Sequence, residues 1–253
     1  MKNSAHNPGL SREAFTLIEL LTVIAIIGIL AALLLVVLPQ AAKRAQIVRA
    51  RLQLKEIFTA IQGYDNAYSR FPVSDNVQAA AIPAGGNFTY GGTFQTPAGP
   101  TPIGTPVNGA VLNNAEAIAI LMNATSYGNG QPTPNTGYVK NPQRTIFLTA
   151  RMTGDTSSPG VGMDGVYRDP WGNPYLISMN LGAEGLCQDA FYKSATVSVG
   201  GLNGLVLQSD GNYAARTTVM VWSAGPDKMI NPMSPAGGPD AGVNKDNVLS
   251  WSQ

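Results

Sequence analysis

Glu19 is a carboxylate inside an otherwise apolar stretch near the start of this 253-residue sequence. From residue 20 to residue 38, only Thr22 and Gly28 fall outside the strongly apolar set. An ionised carboxylate in such surroundings is costly unless it meets a cation, and it usually marks a functional position. The pattern therefore predicts that Glu19 pairs with a positively charged group.

Other reactive side chains are scarce. His6 is the only histidine and Cys187 the only cysteine, so this sequence offers neither an internal disulfide nor a site built from several histidines or cysteines. It has no glycine-rich phosphate-binding loop. Charged residues make up 12% and the formal net charge is +1, which predicts no strong attraction to nucleic acid. The composition favours a protein that is not an enzyme, and we interpret Cys187 as a small buried or incidental thiol.

Residues 15–38 form the element that must carry Glu19. The nineteen residues from 20 to 38 would make roughly 29 Å of helix, enough to cross a hydrocarbon core of about 30 Å. A secretory signal peptide is the alternative, but its apolar region is usually shorter, and PQAA at residues 39–42 is a weak cleavage site. The stretch predicts a single membrane span.

The sequence AFTLIEL at residues 14–20, preceded by a short polar leader with Lys2 and Arg12, resembles the processing motif of type IV prepilins. The resemblance implies cleavage between Ala14 and Phe15 by a prepilin peptidase and N-methylation of the new Phe15 terminus. It also implies that the Glu19 carboxylate meets the Phe15 amine of a neighbouring subunit during assembly. Alanine before the cut departs from the usual glycine. An ordinary signal anchor with an incidental Glu19 is the alternative.

The helix is expected to continue beyond the span, with a kink or a loosened turn at Pro39. Seven apolar or aromatic residues then recur at spacings of three and four, which places them on one helical face. They are Ile47, Ala50, Leu54, Ile57, Ile61, Tyr64 and Tyr68. The pattern predicts one helix over residues 15–69 whose second half packs against its own domain. A free coiled coil is the alternative, although the heptad charge pattern is missing.

The same segment carries five basic residues before its first acidic one. They are Lys43, Arg44, Arg49, Arg51 and Lys55. By the positive-inside rule they would keep this side of the span in the cytoplasm, whereas the prepilin resemblance implies that it is translocated. Phosphate headgroups or acidic faces of adjacent subunits are the expected partners of these residues, with nucleic acid a weaker alternative.

After the helix, the sequence predicts short elements separated by loops. Residues 83–109 hold five prolines and seven glycines and predict a long surface loop or a poorly ordered insertion. Asn113, Asn114 and Glu116 predict a capped short helix, followed by a second loop at residues 128–142. Four segments predict a small antiparallel sheet against the long helix. They are residues 145–150, 174–179, 205–207 and 219–223.

The predicted fold class is therefore α+β, a type IV pilin-like arrangement of a long helix on a small antiparallel sheet. The predicted parts are a leader at residues 1–14, a span at 15–38, an amphipathic helix at 39–70 and a globular domain at 71–253. That domain contains an insertion at about 75–165 and a C-terminal loop at 224–251.

Two further segments resemble the major pseudopilin of type II secretion. They are DPWGNPY at residues 169–175, in which Trp171 is expected to be a packing anchor, and WSAGPD at residues 222–227. In that family a calcium ion closes the last loop, bound by aspartates and backbone carbonyls. The resemblance implies Ca²⁺ ligands at the Ala224 carbonyl and Asp227, with Asp240 a looser match and Asp246 or Asn247 as the last. Hard cations take six to eight oxygens, and irregular loops supply them.

These features predict a structural subunit of a type II secretion pseudopilus, a helical homopolymer that helps to move proteins out of the cell. The resemblance implies as partners the prepilin peptidase, an inner-membrane assembly platform and minor pseudopilins. It implies a single-pass inner-membrane protein with a cytoplasmic N terminus and a globular domain that is periplasmic, or extracellular after assembly. The alternatives are a type IV pilin for adhesion, motility or DNA uptake, and a membrane-anchored enzyme or binding module.

Overall fold

The computed structural model describes residues 15–182, 185–238 and 240–251; the side chains of residues 36 and 37 are not described. The chain divides into two compact units, Met1–Arg44 and Ala45–Gln253. The architecture is α+β, as predicted, with a long N-terminal helix followed by small antiparallel sheets. The predicted leader, including Ala14, lies outside the described residues.

The long helix α1 runs over Leu17–Tyr68, and Pro39 lies inside it without ending it. The predicted core face is confirmed. Ala50, Leu54, Ile57, Ile61 and Tyr64 are fully buried, while Ile47 and Tyr68 are half-buried. The spacing of these residues alone therefore determined how the second half of α1 packs.

Two short helices follow, α2 at Asp75–Ala81 and α3 at Ala115–Leu121. At the start of α3 the Asn113 side chain, three residues before Glu116, accepts from the Ala115 amide at 3.1 Å as predicted, whereas the Asn114 side chain makes no capping hydrogen bond. Its amide instead donates to the carbonyls of Tyr167 and Tyr175 at 2.9 and 2.8 Å. Asn114 is completely buried, and three-dimensional contacts outcompete the local cap there.

The strands are short and pair in antiparallel fashion. In chain order they are β1 (Asn87–Tyr90), β2 (Gly92–Thr96), β3 (Gly99–Ile103), β4 (Pro106–Val107), β5 (Ala110–Val111), β6 (Gly160–Val161), β7 (Tyr167–Arg168), β8 (Leu176–Asn180), β9 (Val206–Leu207), β10 (Tyr213–Ala214), β11 (Val219–Ser223) and β12 (Val248–Leu249). The main sheet has four strands in the order β1-β8-β11-β12, and the other strands form two-stranded pairs.

The main sheet lies between two apolar clusters. On one face, Ile177 and Val221 belong to the same cluster as the buried face of α1. On the other face, Leu176, Met220 and Trp222 pack with residues from the segment 187–236. Because successive side chains of a strand point to opposite faces, β8 and β11 can serve both clusters, and both strands are buried along their full length.

Two predictions about the region after the helix are wrong. Residues 83–109 are not a long loop, because they contain β1 and the β2–β3 hairpin, and β1 pairs with β8 in the main sheet. Phe88 and Tyr90 in β1 are completely buried, and this burial outweighs the surrounding glycines and prolines. Residues 145–150 form no strand; instead, the amides of Phe147 and Leu148 both donate to the Leu121 carbonyl.

Candidate processing and assembly site, and the C-terminal loop

Glu19 is fixed at the first turn of α1 by reciprocal hydrogen bonds with Thr16. The Thr16 amide and hydroxyl donate to Glu19 Oε2 at 2.8 and 2.7 Å, and the Glu19 amide donates to Thr16 Oγ1 at 3.3 Å. This is a capping box, in which a threonine and a glutamate three residues later satisfy each other's backbone donors. The arrangement orients the carboxylate at the start of the helix, four residues after Phe15.

Our sequence analysis did not include Thr16 among the site residues. The signal was present, since Thr16 and Glu19 have the T-x-x-E spacing of a capping box immediately before an apolar run. The predicted site contained only Glu19 and the two residues at the cut, Ala14 and Phe15. The structure shows that the same carboxylate also caps the N terminus of α1.

The apolar side chains before and after Glu19 along this segment are exposed in the described part of the first unit. Phe15, Leu17 and Leu35 are 78%, 82% and 72% exposed. By length and composition, α1 is long enough and apolar enough to cross a membrane. So large an apolar surface requires lipid or other protein around it.

The C-terminal loop brings together two of the predicted metal ligands, Asp227 and Asp246. The Asp227 amide donates to Asp246 Oδ2 at 3.3 Å. Two residues before Asp227, Gly225 has a φ of +77°, and a Cβ there would overlap the backbone of Asp246. Only glycine therefore allows this turn to approach Asp246 so closely. Ala224, whose carbonyl is a third predicted ligand, is completely buried directly after β11.

The two other predicted ligands fit less well. Asp240 is exposed, and among the described residues no three His, Cys, Asp or Glu side chains form a group that could hold a metal. Asn247 donates to the Tyr192 hydroxyl at 2.9 Å, and its buried Oδ1 makes no hydrogen bond among the described residues. Arg51 and Lys245 line the cavity beside Asn247, which disfavours a cation there. The folded loop thus brings Asp227 and Asp246 into contact and gives Asn247 a different partner.

A buried aspartate in the DPWGNPY segment connects the sheet to this loop. Asp169 accepts hydrogen bonds from the amides of Trp171 and Asn173, both at 2.9 Å, and from Ser223 Oγ at 2.5 Å. Asn173 Nδ2 donates to Asp169 Oδ2 and to the Gly225 carbonyl at 2.9 and 3.0 Å. Burial raises the pKa of Asp169, and the hydrogen bonds oppose this shift without cancelling it. Asp169 therefore organises its own turn and, through Asn173, holds the turn that precedes Asp227.

Trp171 and Cys187 have the environments that the sequence predicted for them. Trp171 packs against the core on the α1 side, and its indole donates to Gln46 Oε1 at 3.1 Å. Cys187 is completely buried, and burial raises the pKa of its thiol. A thiol that is buried and protonated is a poor nucleophile, so its role is packing.

Comparison with known proteins agrees with the geometry at the N terminus. Residues 10–35 match the family model described as the prokaryotic N-terminal methylation motif. No curated protein and no solved structure matches the chain.

The motif marks type IV prepilin-like proteins, a structural class whose members are processed by a prepilin peptidase and assemble into filaments. Its span of residues includes Phe15, Thr16 and Glu19 and most of the apolar part of α1. The chain therefore carries the N-terminal signature of a prepilin, with one helix that could span a membrane.

Proposed function

We propose that the chain is the structural subunit of a type II secretion pseudopilus. The observation that carries the proposal is the Glu19 carboxylate, presented at the start of an exposed apolar helix inside a methylation motif. After cleavage, the apolar helices of successive subunits pack into the core of a filament. Glu19 then meets the Phe15 amine of a neighbour, which neutralises two charges in a water-poor environment and fixes the register. The contact is heterologous, so it propagates as a helical polymer.

The features that favour a pseudopilus over a type IV pilus lie in the second unit. The DPWGNPY turn and the loop from Ala224 to residue 251 resemble the pseudopilin, and the single buried Cys187 leaves no disulfide to close that loop. Minor pseudopilins and an inner-membrane assembly platform would be the partners, and a separate ATPase would drive assembly. Electron microscopy of sheared surface fractions tests the assignment. Filaments that depend on the secretion channel are expected, whereas channel-independent surface fibres would indicate a pilus, and the absence of filaments an anchored binding module.

In this proposal the subunit waits in the inner membrane with its N terminus in the cytoplasm and its second unit outside. The five basic residues from Lys43 to Lys55 oppose that topology by the positive-inside rule. We propose that the prepilin signal prevails, because the basic residues acquire their partners after translocation.

Cleavage is expected between Ala14 and Phe15, with methylation of the new terminus, because leader, cut and Glu19 stand in the register of the motif. Mass spectrometry of protein extracted from membranes, in strains with and without the prepilin peptidase, measures it. The expected terminus is N-methylated Phe15 in the first strain and Met1 in the second. Met1 in both strains, or a cut after the span, would refute the processing.

We propose that the C-terminal loop binds Ca²⁺ through Asp227, Asp246 and backbone carbonyls including that of Ala224. The Asp227 amide donates to the Asp246 carboxylate, so the two residues lie next to each other, and an ion bound by oxygens of both would link the turn after β11 to the segment before β12. Binding to the folded state alone would stabilise it by about 2.7 kcal/mol at a hundredfold excess over Kd.

Chelation is therefore expected to lower the melting temperature of the full chain in detergent, and Asp227→Ala to remove that difference. Asp240→Ala is the control, because Asp240 lies in the same loop but apart from the pair. Identical melting curves with calcium and with chelator would show that no calcium is bound.

A further inference from the structure

A groove in the second unit runs along α1 and remains open in the isolated subunit. It has a volume of about 720 Å³. One wall is α1, with Val48, Arg51, Leu52 and Lys55, and the other includes Leu249 and Trp251. None of the residues that line it is acidic.

The α1 wall of the groove is apolar surface that the domain does not cover. Val48 and Leu52 are 55% and 57% exposed, whereas Ala50 and Leu54, on the opposite side of the same turns, are fully buried. Two large aliphatic side chains one turn apart form a continuous apolar strip on a helix. The strip is flanked by cations, so it suits a partner that has both apolar and negatively charged groups.

The groove also contains hydrogen-bond donors that lack acceptors. The salt bridges among the described residues are Lys140 with Asp75 and Arg168 with Asp164, so Arg51 and Lys55 have no carboxylate partner there. The Trp251 indole nitrogen is buried and makes no hydrogen bond within the described part of the chain. A buried donor without an acceptor is costly, so a partner that offers an acceptor to this nitrogen would be favoured.

Along the sequence, the basic residues near the groove are separated from most of the carboxylates that could serve as acceptors. Residues 43–55 contain five basic residues and no acidic one. Residues 56–253 contain nine basic and thirteen acidic residues, a net charge of −4. One copy of the chain therefore combines a basic segment with a remainder that is net acidic, and Arg51 and Lys55 have no carboxylate partner among the described residues.

We propose that this groove binds an acidic surface of a second copy of the chain in the filament. The inference rests on the proposed function and adds a contact outside the apolar filament core. Val48 and Leu52 supply the apolar part of the contact, while Arg51 and Lys55 pair with carboxylates of the neighbour. Pairing between copies would also relieve the repulsion among the five cations of each subunit.

The test compares Arg51→Glu with Arg49→Glu in the full-length protein. Both residues are exposed on α1 and both substitutions change the charge equally, but Arg49 does not line the groove. Arg51→Glu is expected to reduce the filament yield in sheared fractions at least about tenfold, because like charges would then face each other, and Arg49→Glu to change it less than about twofold. Limited chymotrypsin digestion of the detergent-solubilised proteins checks that both variants fold.

Equal yields from the two variants would overturn the groove contact while leaving the filament function intact. If the wild-type chain forms no filament, the proposed function and this inference both fail. A photo-crosslinker in place of Leu52 identifies the occupant in assembled material. A crosslink to an acidic peptide of a second copy supports the proposal, and a crosslink to lipid or to another protein overturns it.

Discussion

Glu19→Leu is expected to be inserted and cleaved normally but to form no filaments with itself, and to be excluded from filaments of wild-type subunits. Leucine fits the apolar surroundings of the helix, so insertion is not impaired. Assembly then buries the Phe15 amine of a neighbour without its carboxylate, and an unpaired charge in an apolar core is strongly unfavourable. The yield of sheared filaments, compared with the amount of processed protein in the membrane, measures the effect.

Glu19→Gln separates the capping role that the structure shows from the proposed pairing with the Phe15 amine. Glutamine can retain the capping box with Thr16, because it accepts hydrogen bonds at the same position, but it carries no charge. We expect it to fail in assembly as leucine does, if pairing with the amine is the function. Filaments of normal yield from the glutamine variant would refute the charge pairing and leave helix capping as the role. Glu56→Leu, an exposed glutamate in the same helix beyond the span, is the matched control.

Asp169→Ala is expected to cause a large loss of stability in the second unit. The substitution leaves the amides of Trp171 and Asn173 and the Ser223 hydroxyl without their acceptor in a fully buried position. Buried groups without partners cost about 1–3 kcal/mol each, so a total of about 3 kcal/mol or more is reasonable. For a domain of this size, that lowers the melting temperature by roughly 6–12 °C.

Asp155→Ala is the matched control for this prediction. Asp155 also accepts from the backbone amides of its own turn, those of Ser157 and Ser158, and the hydrogen bond from the Ser158 hydroxyl together with these amide bonds holds its pKa below the usual range. It is exposed, however, so water can replace the lost acceptor and the melting temperature should change little. Equal effects of the two substitutions would show that Asp169 does not join the DPWGNPY turn to the C-terminal loop.

Much of this protein's organisation could be predicted from patterns of residues that lie close together in the sequence. The apolar run at residues 20–38 indicated a helix long and apolar enough to cross a membrane, and the three-and-four spacing from Ile47 to Tyr68 indicated the buried face of α1. These predictions succeeded because helical periodicity, capping and membrane length depend on residues close together in the sequence. The T-x-x-E capping box was readable in the same way, although it was overlooked.

Contacts between distant residues decided the remainder. The strand β1 contains three residues that favour strands, Phe88, Thr89 and Tyr90, but it is short and lies among glycines and prolines, so its pairing with β8, about ninety residues later, fixes it. The predicted strand at residues 145–150 has suitable residues but no partner strand.

Contacts between distant residues also decide how the candidate sites are built. The sequence supplied Asp227, then Asp246 or Asn247, with Asp240 as a looser match, and only the folded loop brings Asp227 and Asp246 together and leaves Asp240 apart. Asp169 and the groove beside Arg51 likewise depend on residues 50 or more positions away. A sequence by itself determines which groups a chain has and how neighbours along a helix align. Tertiary structure decides which distant groups meet, because burial and hydrogen bonding are satisfied over the whole domain at once.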